Sequence, residues 1–278
     1  MKTYLKLVNF EFNRCAKLYA VLIGMTVVSQ VIAVFAASRK YISQLNEALY
    51  QNKIPKEQFL SETGEISMFE VVNNVWFYLP IVICITAILF YSFFIWYIEW
   101  MGKNTFIYRL LMLPTSRMTI FWSKLTTIAL LVFGLVSMQL ILLLIESQLL
   151  EVLVASEFRL DLSVRQIIEV SMYLSILLPK SFALFVSYYG VGFLLLFLSF
   201  AAVLFERSFH FKGLIMGLIF GGGLFLLFGS PVIAREFFGF DWLYPGESLI
   251  IEVVLGILVI AISSWVSHYL LHKRVTVY

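Results

Sequence analysis

Residues 125–145, "LTTIALLVFGLVSMQLILLLI", form a run of 21 residues that contains no Asp, Glu, Lys or Arg. A helix needs about 20 apolar residues to cross the hydrocarbon core of a bilayer, where its backbone groups must be paired within the segment. The strands of a membrane β-barrel would instead alternate apolar and polar residues, and this run does not alternate. It therefore predicts a transmembrane helix.

The composition of the whole chain indicates the same class. Of its 278 residues, 61% are hydrophobic and 13% are charged, and the mean hydropathy is +0.93. A soluble domain of this size could not bury so much apolar surface in one core. We predict an all-α polytopic membrane protein whose residues 1–278 form a single transmembrane domain. Its six uncharged spans are placed at about residues 18–37, 75–98, 125–145, 181–205, 213–230 and 253–271.

Two further segments are partly apolar. Residues 1–17 are predicted to form an amphipathic N-terminal helix, with apolar residues at Tyr4, Leu5, Val8, Phe12 and Cys15. This segment has no compact apolar stretch followed by a small-residue cleavage site, so we expect it to be retained. Residues 166–178 are apolar but short. They are interpreted as an interfacial or re-entrant helix, with a seventh span as the weaker alternative.

Basic residues divide the loops into two unequal sides. With six spans, both termini share the side that holds twelve of the 20 cations and only three of the 17 acids, Glu11, Glu99 and Glu206. The formal charge of this side is +9, against −6 for the other. Because Lys and Arg are enriched in cytoplasmic loops, both termini are predicted to be cytoplasmic. The acidic outer loops, residues 38–74, 146–180 and 231–252, are expected to form no soluble domain.

Catalytic and metal-binding patterns are weak in this sequence. The GxxxxGK[ST] motif that binds ATP phosphates does not occur. Cys15 and Cys84 stand in different segments, so we expect neither a disulfide nor a metal site from them. His268 and His272 have the spacing of a zinc pair but no glutamate between them, and interfacial charge is the favoured interpretation. A net charge of +3 is too small to indicate nucleic-acid binding, and no convergent catalytic set predicts an enzyme.

The six spans also lack the charged residues on which many carriers depend. None of them contains Asp, Glu, Lys or Arg, whereas proton- and ion-coupled carriers usually place such residues inside the membrane. This weighs against secondary transport, although sodium-coupled carriers can use backbone carbonyls and hydroxyls instead.

Three glycines in the fifth span are spaced four residues apart. Gly213, Gly217 and Gly221 therefore share one helical face, where another helix could approach backbone to backbone. The alternative is that these glycines only loosen the helix, because such spacing also arises by chance in apolar segments.

Residues 99–124 form the longest predicted cytosolic loop. Its first half places Phe106, Leu110 and Leu113 on one helical face and ends at Pro114. Ser116 can then cap the next helix, which continues into the third span. A short helix along the inner surface could be held by lipid phosphates alone or could dock a partner protein, and these residues leave both interpretations open.

The same loop carries a family resemblance. Residues 109–125, "RLLMLPTSRMTIFWSKL", resemble the "LlslPisR…i…gK" segment that follows the second span in permease subunits of ABC-2-type ABC transporters. The matching positions are Leu113, Pro114, Ser116, Arg117, Ile120 and Lys124. Six spans, cytoplasmic termini and an N-terminal amphipathic segment are also similar to that family. The 37-residue outer loop after the first predicted span and the helix before the fourth depart from its pattern.

The resemblance implies a coupling helix that sits in a groove of a separate ATP-binding subunit. That partner would hold ATP and magnesium, while this chain would bind no cofactor and catalyse no reaction itself. A second permease copy or a paralogue would complete the transporter in the membrane lipid. The residues that the resemblance places at the docking site are Arg109, Leu110, Leu113, Pro114, Ser116, Arg117 and Lys124.

From the sequence we therefore expect the permease subunit of an ATP-driven exporter, a multi-pass protein of the bacterial cytoplasmic membrane without nucleic-acid partners. The first alternative is a secondary carrier or channel. The second is a non-transporting membrane scaffold or sensor subunit. The cargo is not indicated by any motif.

Overall fold

The computed structural model describes residues 2–100, 116–239 and 244–274, and most of them are helical. In chain order the helices are α1 (Lys2–Asn46), α2 (Lys56–Thr63), α3 (Met68–Val72), α4 (Val75–Trp100), α5 (Arg117–Leu153), α6 (Val164–Val170), α7 (Met172–Leu177), α8 (Phe182–Phe238) and α9 (Pro245–Lys273). Two short strands, β1 (Ile66–Ser67) and β2 (Arg159–Leu160), complete the elements used below. Five helices, α1, α4, α5, α8 and α9, are long and apolar enough to cross a membrane. The predicted all-α class is thereby confirmed, and the five long apolar helices are compatible with a membrane protein.

The long helices extend well beyond the predicted spans. Helix α1 has 45 residues and α5 has 37. The N-terminal segment is helical, but it continues into the first span without a break, because no proline interrupts residues 2–46. Large apolar side chains on these helices are exposed, and Val21, Leu218 and Trp265 each expose at least 65% of their surface. Such surfaces suit a lipid environment rather than water.

Helix α8 is broken at His210. This residue has φ 54° and ψ −132°, which no α-helix contains, and a positive φ is unusual for a residue with a side chain. Across the break, Gly217 lies against the backbone of Ala202, and Gly213 lies against the carbonyl of Phe205. The chain therefore reverses at His210, and α8 consists of two antiparallel arms, residues 182–209 and 211–238.

The chain divides into two compact units. The first contains residues 1–12, 89–128 and 180–278. Among its described residues, four aromatic side chains pack around the beginning of α5: the rings of Trp96 and Phe121 each lie against Phe200, with centroids 5.5 and 5.4 Å away, and Phe197 lies 5.7 Å from Phe121. These contacts join α4, α5 and the first arm of α8.

The second unit contains residues 13–88 and 129–179, and the two segments within it that were predicted to be outer loops fold together. Strands β1 and β2 pair in parallel, with Ile66 opposite Arg159. Ile66, Ile167 and Leu174 are fully buried in one apolar core with residues of α1, α4 and α5. These two segments thus form a small folded cap on this unit, which the sequence did not predict.

The segment at residues 166–178 forms no seventh span. It is divided between α6, with seven residues, and α7, with six. Ser163 begins α6 with a capping box to Gln166, and Ser171 caps α7 through the N–H of Leu174. Two capping serines eight residues apart impose two short helices, because each cap fixes a new helix start.

Candidate functional site

The candidate site surrounds the connection between α4 and α5 in the first unit. Four of the predicted docking residues, Arg109, Leu110, Leu113 and Pro114, lie outside the residues that the structure describes. The other three, Ser116, Arg117 and Lys124, lie at the beginning of α5. The described part of the site therefore consists of the end of α4 and the beginning of α5.

Ser116 immediately precedes the first residue of α5. Its hydroxyl lies 2.9 Å from Thr119 Oγ1, three residues further on, and the Thr119 N–H donates to the Ser116 carbonyl at 2.8 Å. Ser116 thus stands at the start of α5, but its hydroxyl bonds the Thr119 hydroxyl instead of a backbone N–H, so the predicted side-chain cap is not formed.

Arg117 reaches the end of another helix. Its Nη1 donates to the carbonyl oxygen of Leu271 at 2.6 Å, and Leu271 lies in the last turn of α9. The last four carbonyls of a helix have no partner within the helix and carry the negative end of its dipole. A guanidinium is well suited to this position, so Arg117 ties the beginning of α5 to the end of α9.

Lys124 is fully buried, with both of its carboxylate partners inside the protein. Its Nζ donates to Glu99 Oε1 at 2.6 Å, to Glu11 Oε1 at 2.7 Å and to the carbonyl of Ile95 at 3.1 Å. An ammonium group has three N–H donors, and all three are used. The ring of Trp96 lies 5.3 Å from the same nitrogen, within the range of a cation–π contact.

We call Glu11, Glu99 and Lys124 the buried ion cluster. Their side chains expose 2%, 0% and 0% of their surface. The sequence analysis grouped Lys124 with residues that dock a partner, but in this structure its charge is directed inward and offers nothing to an external surface. The cluster joins the N-terminal part of α1 to the end of α4 and the beginning of α5.

A second polar contact lies beside the buried ion cluster in the first unit. The Tyr97 hydroxyl donates to Glu206 Oε2, and the Arg207 guanidinium lies 4.8 Å from the Tyr97 ring. All three acids of the predicted inner side, Glu11, Glu99 and Glu206, therefore bond to groups within the protein.

The glycine face predicted in the fifth span is divided between two environments. A Cβ at Gly217 would lie 3.0 Å from the Ala202 carbonyl oxygen, and one at Gly213 would overlap the backbone of Phe205. A Cβ at Gly221 would meet nothing within 4 Å. The close approach therefore occurs between the two arms of α8, at the glycines nearest the turn.

The histidine pair lies at the end of α9, with ring centroids of His268 and His272 4.4 Å apart. Among the described residues, no group of three or more His, Cys, Asp or Glu side chains is arranged to hold a metal ion. Cys15 and Cys84 are both buried free thiols.

The second unit buries an acid that the sequence analysis did not select. Glu146 lies on α5, one residue beyond the predicted third span, and its side chain is 0% exposed. Neither carboxyl oxygen has a hydrogen-bond partner among the residues that the structure describes. Leu143 and Leu150, one turn before and after it on the same face, belong to the apolar core.

Closer to the middle of α5, a pair of amides is buried between three helices of the second unit. Gln30 and Gln139 exchange hydrogen bonds of 3.1 and 3.3 Å, and Gln30 also donates to the carbonyl of Phe77. Polar side chains inside a membrane protein are costly unless they are paired, and these amides satisfy one another. Glu146 differs from them because its carboxyl has no such partner.

Comparisons with protein-family models, with curated proteins and with solved structures find no match to this chain. The resemblance to ABC-2-type permeases rests on residues 109–125 and on the arrangement of the apolar segments.

Proposed function

We propose that this chain is the transmembrane permease subunit of an ATP-driven exporter of the ABC-2 type. The observation that carries the proposal is the attachment of both ends of the loop 101–115 to the rest of the first unit. Glu99 stands two residues before this loop, and it shares Lys124 of α5 with Glu11 of α1. Arg117, two residues after the loop, bonds to the end of α9.

This arrangement suits the transmission of force from a partner. A displacement of the loop would move the end of α4 and the beginning of α5 together, because the buried ion cluster holds them to one another. Through Glu11 and Leu271 the same displacement would reach α1 and α9. A separate ATP-binding subunit, with ATP and magnesium, would supply the displacement when it closes. The effect would be reciprocal, because a permease state that favours closure of the ATP-binding subunit must itself be favoured by that closure.

The proposed topology has six crossings with both termini in the cytoplasm. Each arm of α8 has about 28 residues and a length of about 42 Å, which is enough to cross a bilayer on its own. The break at His210 would then lie on the cytoplasmic side, beside the basic residues Arg207 and Lys212. We place the protein in the bacterial cytoplasmic membrane, paired with a second copy or a paralogue.

Purification from native membranes in a mild detergent tests this function. A stoichiometric soluble subunit that is photolabelled by azido-ATP should accompany the chain. A variant with Leu110→Ser and Leu113→Ser should insert in the membrane normally but lose that subunit, because the apolar side of the docking helix is removed. A double variant of exposed apolar residues on α8, Leu218→Ser and Ile219→Ser, is the matched control and should retain it. An ATP-labelled subunit that stays bound to both variants would contradict the docking site.

A proton-coupled carrier is the second candidate function, and Glu146 favours it. A fully buried carboxyl without a partner is the type of group that carriers use to bind and release protons. The two candidates are distinguished in inside-out and right-side-out vesicles. A carrier should transport with an imposed pH gradient and no ATP, and Glu146→Gln should abolish this transport, whereas an exporter should depend on ATP.

A further inference from the structure

A cavity lies in the first unit between the two arms of α8 and the first half of α9. Its volume is about 120 Å³. The first arm contributes Ser187, Gly190 and Leu194, the second arm contributes Phe228, and α9 contributes Glu252 and Gly256, among others. By size it approaches the cavity of about 150 Å³ that accommodates benzene in another protein.

The walls of the cavity are almost entirely apolar, with one charged residue. Glu252 is half-buried, and its carboxylate makes no hydrogen bond or ion pair within the described ranges 2–100, 116–239 and 244–274. The Ser187 hydroxyl donates to the carbonyl of Ala183 at 3.1 Å, which leaves its oxygen able to accept a hydrogen bond. The cavity therefore offers a negative charge and an acceptor beside an apolar space.

The shape of the cavity depends on a missing side chain. A Cβ added to Gly190 would meet nothing within 4 Å, although this residue lines the cavity. The ring of Phe228 also lines the cavity, 3.5 Å from the position that a Cβ at Gly256 would take. A planar group can thus lie against an aromatic ring, an arrangement that favours aromatic or cationic ligands.

We propose that this cavity is a binding site for a small hydrophobic cation, whose apolar ring lies between the arms of α8 and whose positive charge pairs with Glu252. A partly desolvated carboxylate without a partner is unfavourable, and a cation is the ligand that removes this cost. A neutral or anionic ligand of the same shape would leave the carboxylate unpaired or repel it. In the proposed topology the site faces the outer leaflet.

A role of this cation as transported cargo rests on the proposed function. Its binding to the cavity is independent of that function. Binding is therefore measured on the purified chain alone, in phosphatidylcholine nanodiscs without an ATPase. The probe is benzyltrimethylammonium, and phenylmethanesulfonate, with a similar ring and the opposite charge, is its counterpart. Isothermal titration calorimetry gives the binding affinity, and saturation-transfer NMR detects contact between the protein and the ring of the probe.

We expect saturable binding of the cation and none of the anion. Glu252→Gln keeps the shape and removes the charge, and it should weaken binding about tenfold or more. Gly190→Leu should abolish binding by filling the cavity. Gly192→Leu is the matched control, because Gly192 lies on the same arm but not at the cavity, and a Cβ there also meets nothing within 4 Å. This control should bind the cation as the unaltered protein does.

Four results would overturn the site. Equal binding of the cation and the anion, or undiminished binding in Glu252→Gln, would indicate partition into the apolar groove without recognition of charge. Native mass spectrometry could find a phospholipid retained by the unaltered protein and by Glu252→Gln but lost from Gly190→Leu. Such a result would identify the cavity as a lipid-binding site. Absence of saturable binding to a folded protein would also overturn it. Loss of the ATP-labelled subunit would leave all of these results unaffected, so the two proposals fail separately.

Discussion

Lys124 Nζ lies 2.6 Å from Glu99 Oε1, and both side chains are fully buried. A buried ion pair is weak evidence of net stabilisation, because the desolvation of its charges opposes their attraction, but removal of one partner leaves an uncompensated charge. We therefore expect Lys124→Met to lower the free energy of unfolding by about 3–5 kcal/mol. Thermal unfolding in detergent measures this change.

Two further variants test the cause of that loss. When Glu11→Gln and Glu99→Gln are combined with Lys124→Met, the charges disappear together and most of the stability should return. Lys56→Met breaks an exposed ion pair with Glu157, whose two side chains are 59% and 67% accessible, and should cost no more than about 1 kcal/mol. A triple variant as unstable as Lys124→Met would mean that packing, and not charge, is responsible.

The second prediction concerns the turn between the arms of α8. Gly217→Leu should lower the free energy of unfolding by about 1–3 kcal/mol, because its Cβ would lie 3.0 Å from the Ala202 carbonyl and force the arms apart. Gly221→Leu is the matched control, since it introduces the same side chain one turn later into open space. The two thermal transitions are compared in the same detergent. Equal transitions would show that the arms do not need this close approach.

The sequence predicts the long helices well, because apolar length is a property of each segment alone. It does not predict where they end: α1 and α5 continue past the spans into polar residues, several of which, such as Lys40 and Gln44, are exposed. The cap formed by the outer loops was missed because two strands of two residues each leave no periodic pattern. The pairing of Ile66 with Arg159 is visible only in three dimensions.

The candidate site illustrates the same limit. Glu11 lies between Val8 and Cys15 on one helical face. An acid on a face that is otherwise apolar is a sign that the acid is buried, and this sign was present in the sequence. Lys124 carried no such signal, because a lysine before a span usually faces the headgroups. Its burial follows from Glu11 and Glu99, which lie 113 and 25 residues away in the sequence.

The third prediction concerns Glu146, whose carboxyl lies in an apolar core without a partner among the described residues. An isolated carboxylate in such a place is very unfavourable, so we expect the carboxyl to be neutral. A hydrophobic carbodiimide, which adds to protonated carboxyls in apolar surroundings, should label Glu146, while a water-soluble one should label the exposed Glu157 instead. Peptide mass spectrometry locates the adducts.

The stability of two variants provides an independent test of that neutral state. Glu146→Gln should change the unfolding transition little, and Glu146→Leu should raise it, since an unsatisfied polar group is replaced by an apolar one. A large loss of stability in Glu146→Gln would show that a negative charge is required there.

The fourth prediction concerns topology and follows from the charge difference between the two sides. Cysteines at Ser43 and Ser156, both exposed, should react with an impermeant maleimide added to intact cells. Cysteines at Thr105 and Ser116 should react only after permeabilisation. The native thiols contribute little background, because Cys15 and Cys84 expose 3% and 6% of their surface. Labelling of Ser116→Cys from outside would reverse the orientation.

The fifth prediction separates two roles of Arg117. Its bond to the Leu271 carbonyl stabilises the end of α9, while the proposed docking requires its positive charge. Arg117→Gln retains an N–H donor but removes the charge, whereas Arg117→Glu would place a carboxylate against a carbonyl. We expect Arg117→Glu to lower the free energy of unfolding by about 1–3 kcal/mol and Arg117→Gln to lower it less.

The Arg117 variants should rank differently in their association with the ATP-labelled subunit than in their stability. A desolvated charged contact at an interface costs about 2–5 kcal/mol when it is truncated, so both Arg117→Gln and Arg117→Glu should lose the subunit. Arg117→Lys keeps the charge and should retain most of it. Co-purification and thermal unfolding are therefore measured on the same three variants. If retention of the subunit simply follows thermal stability, Arg117 serves only to join α5 to α9, and docking must depend on other residues of the loop.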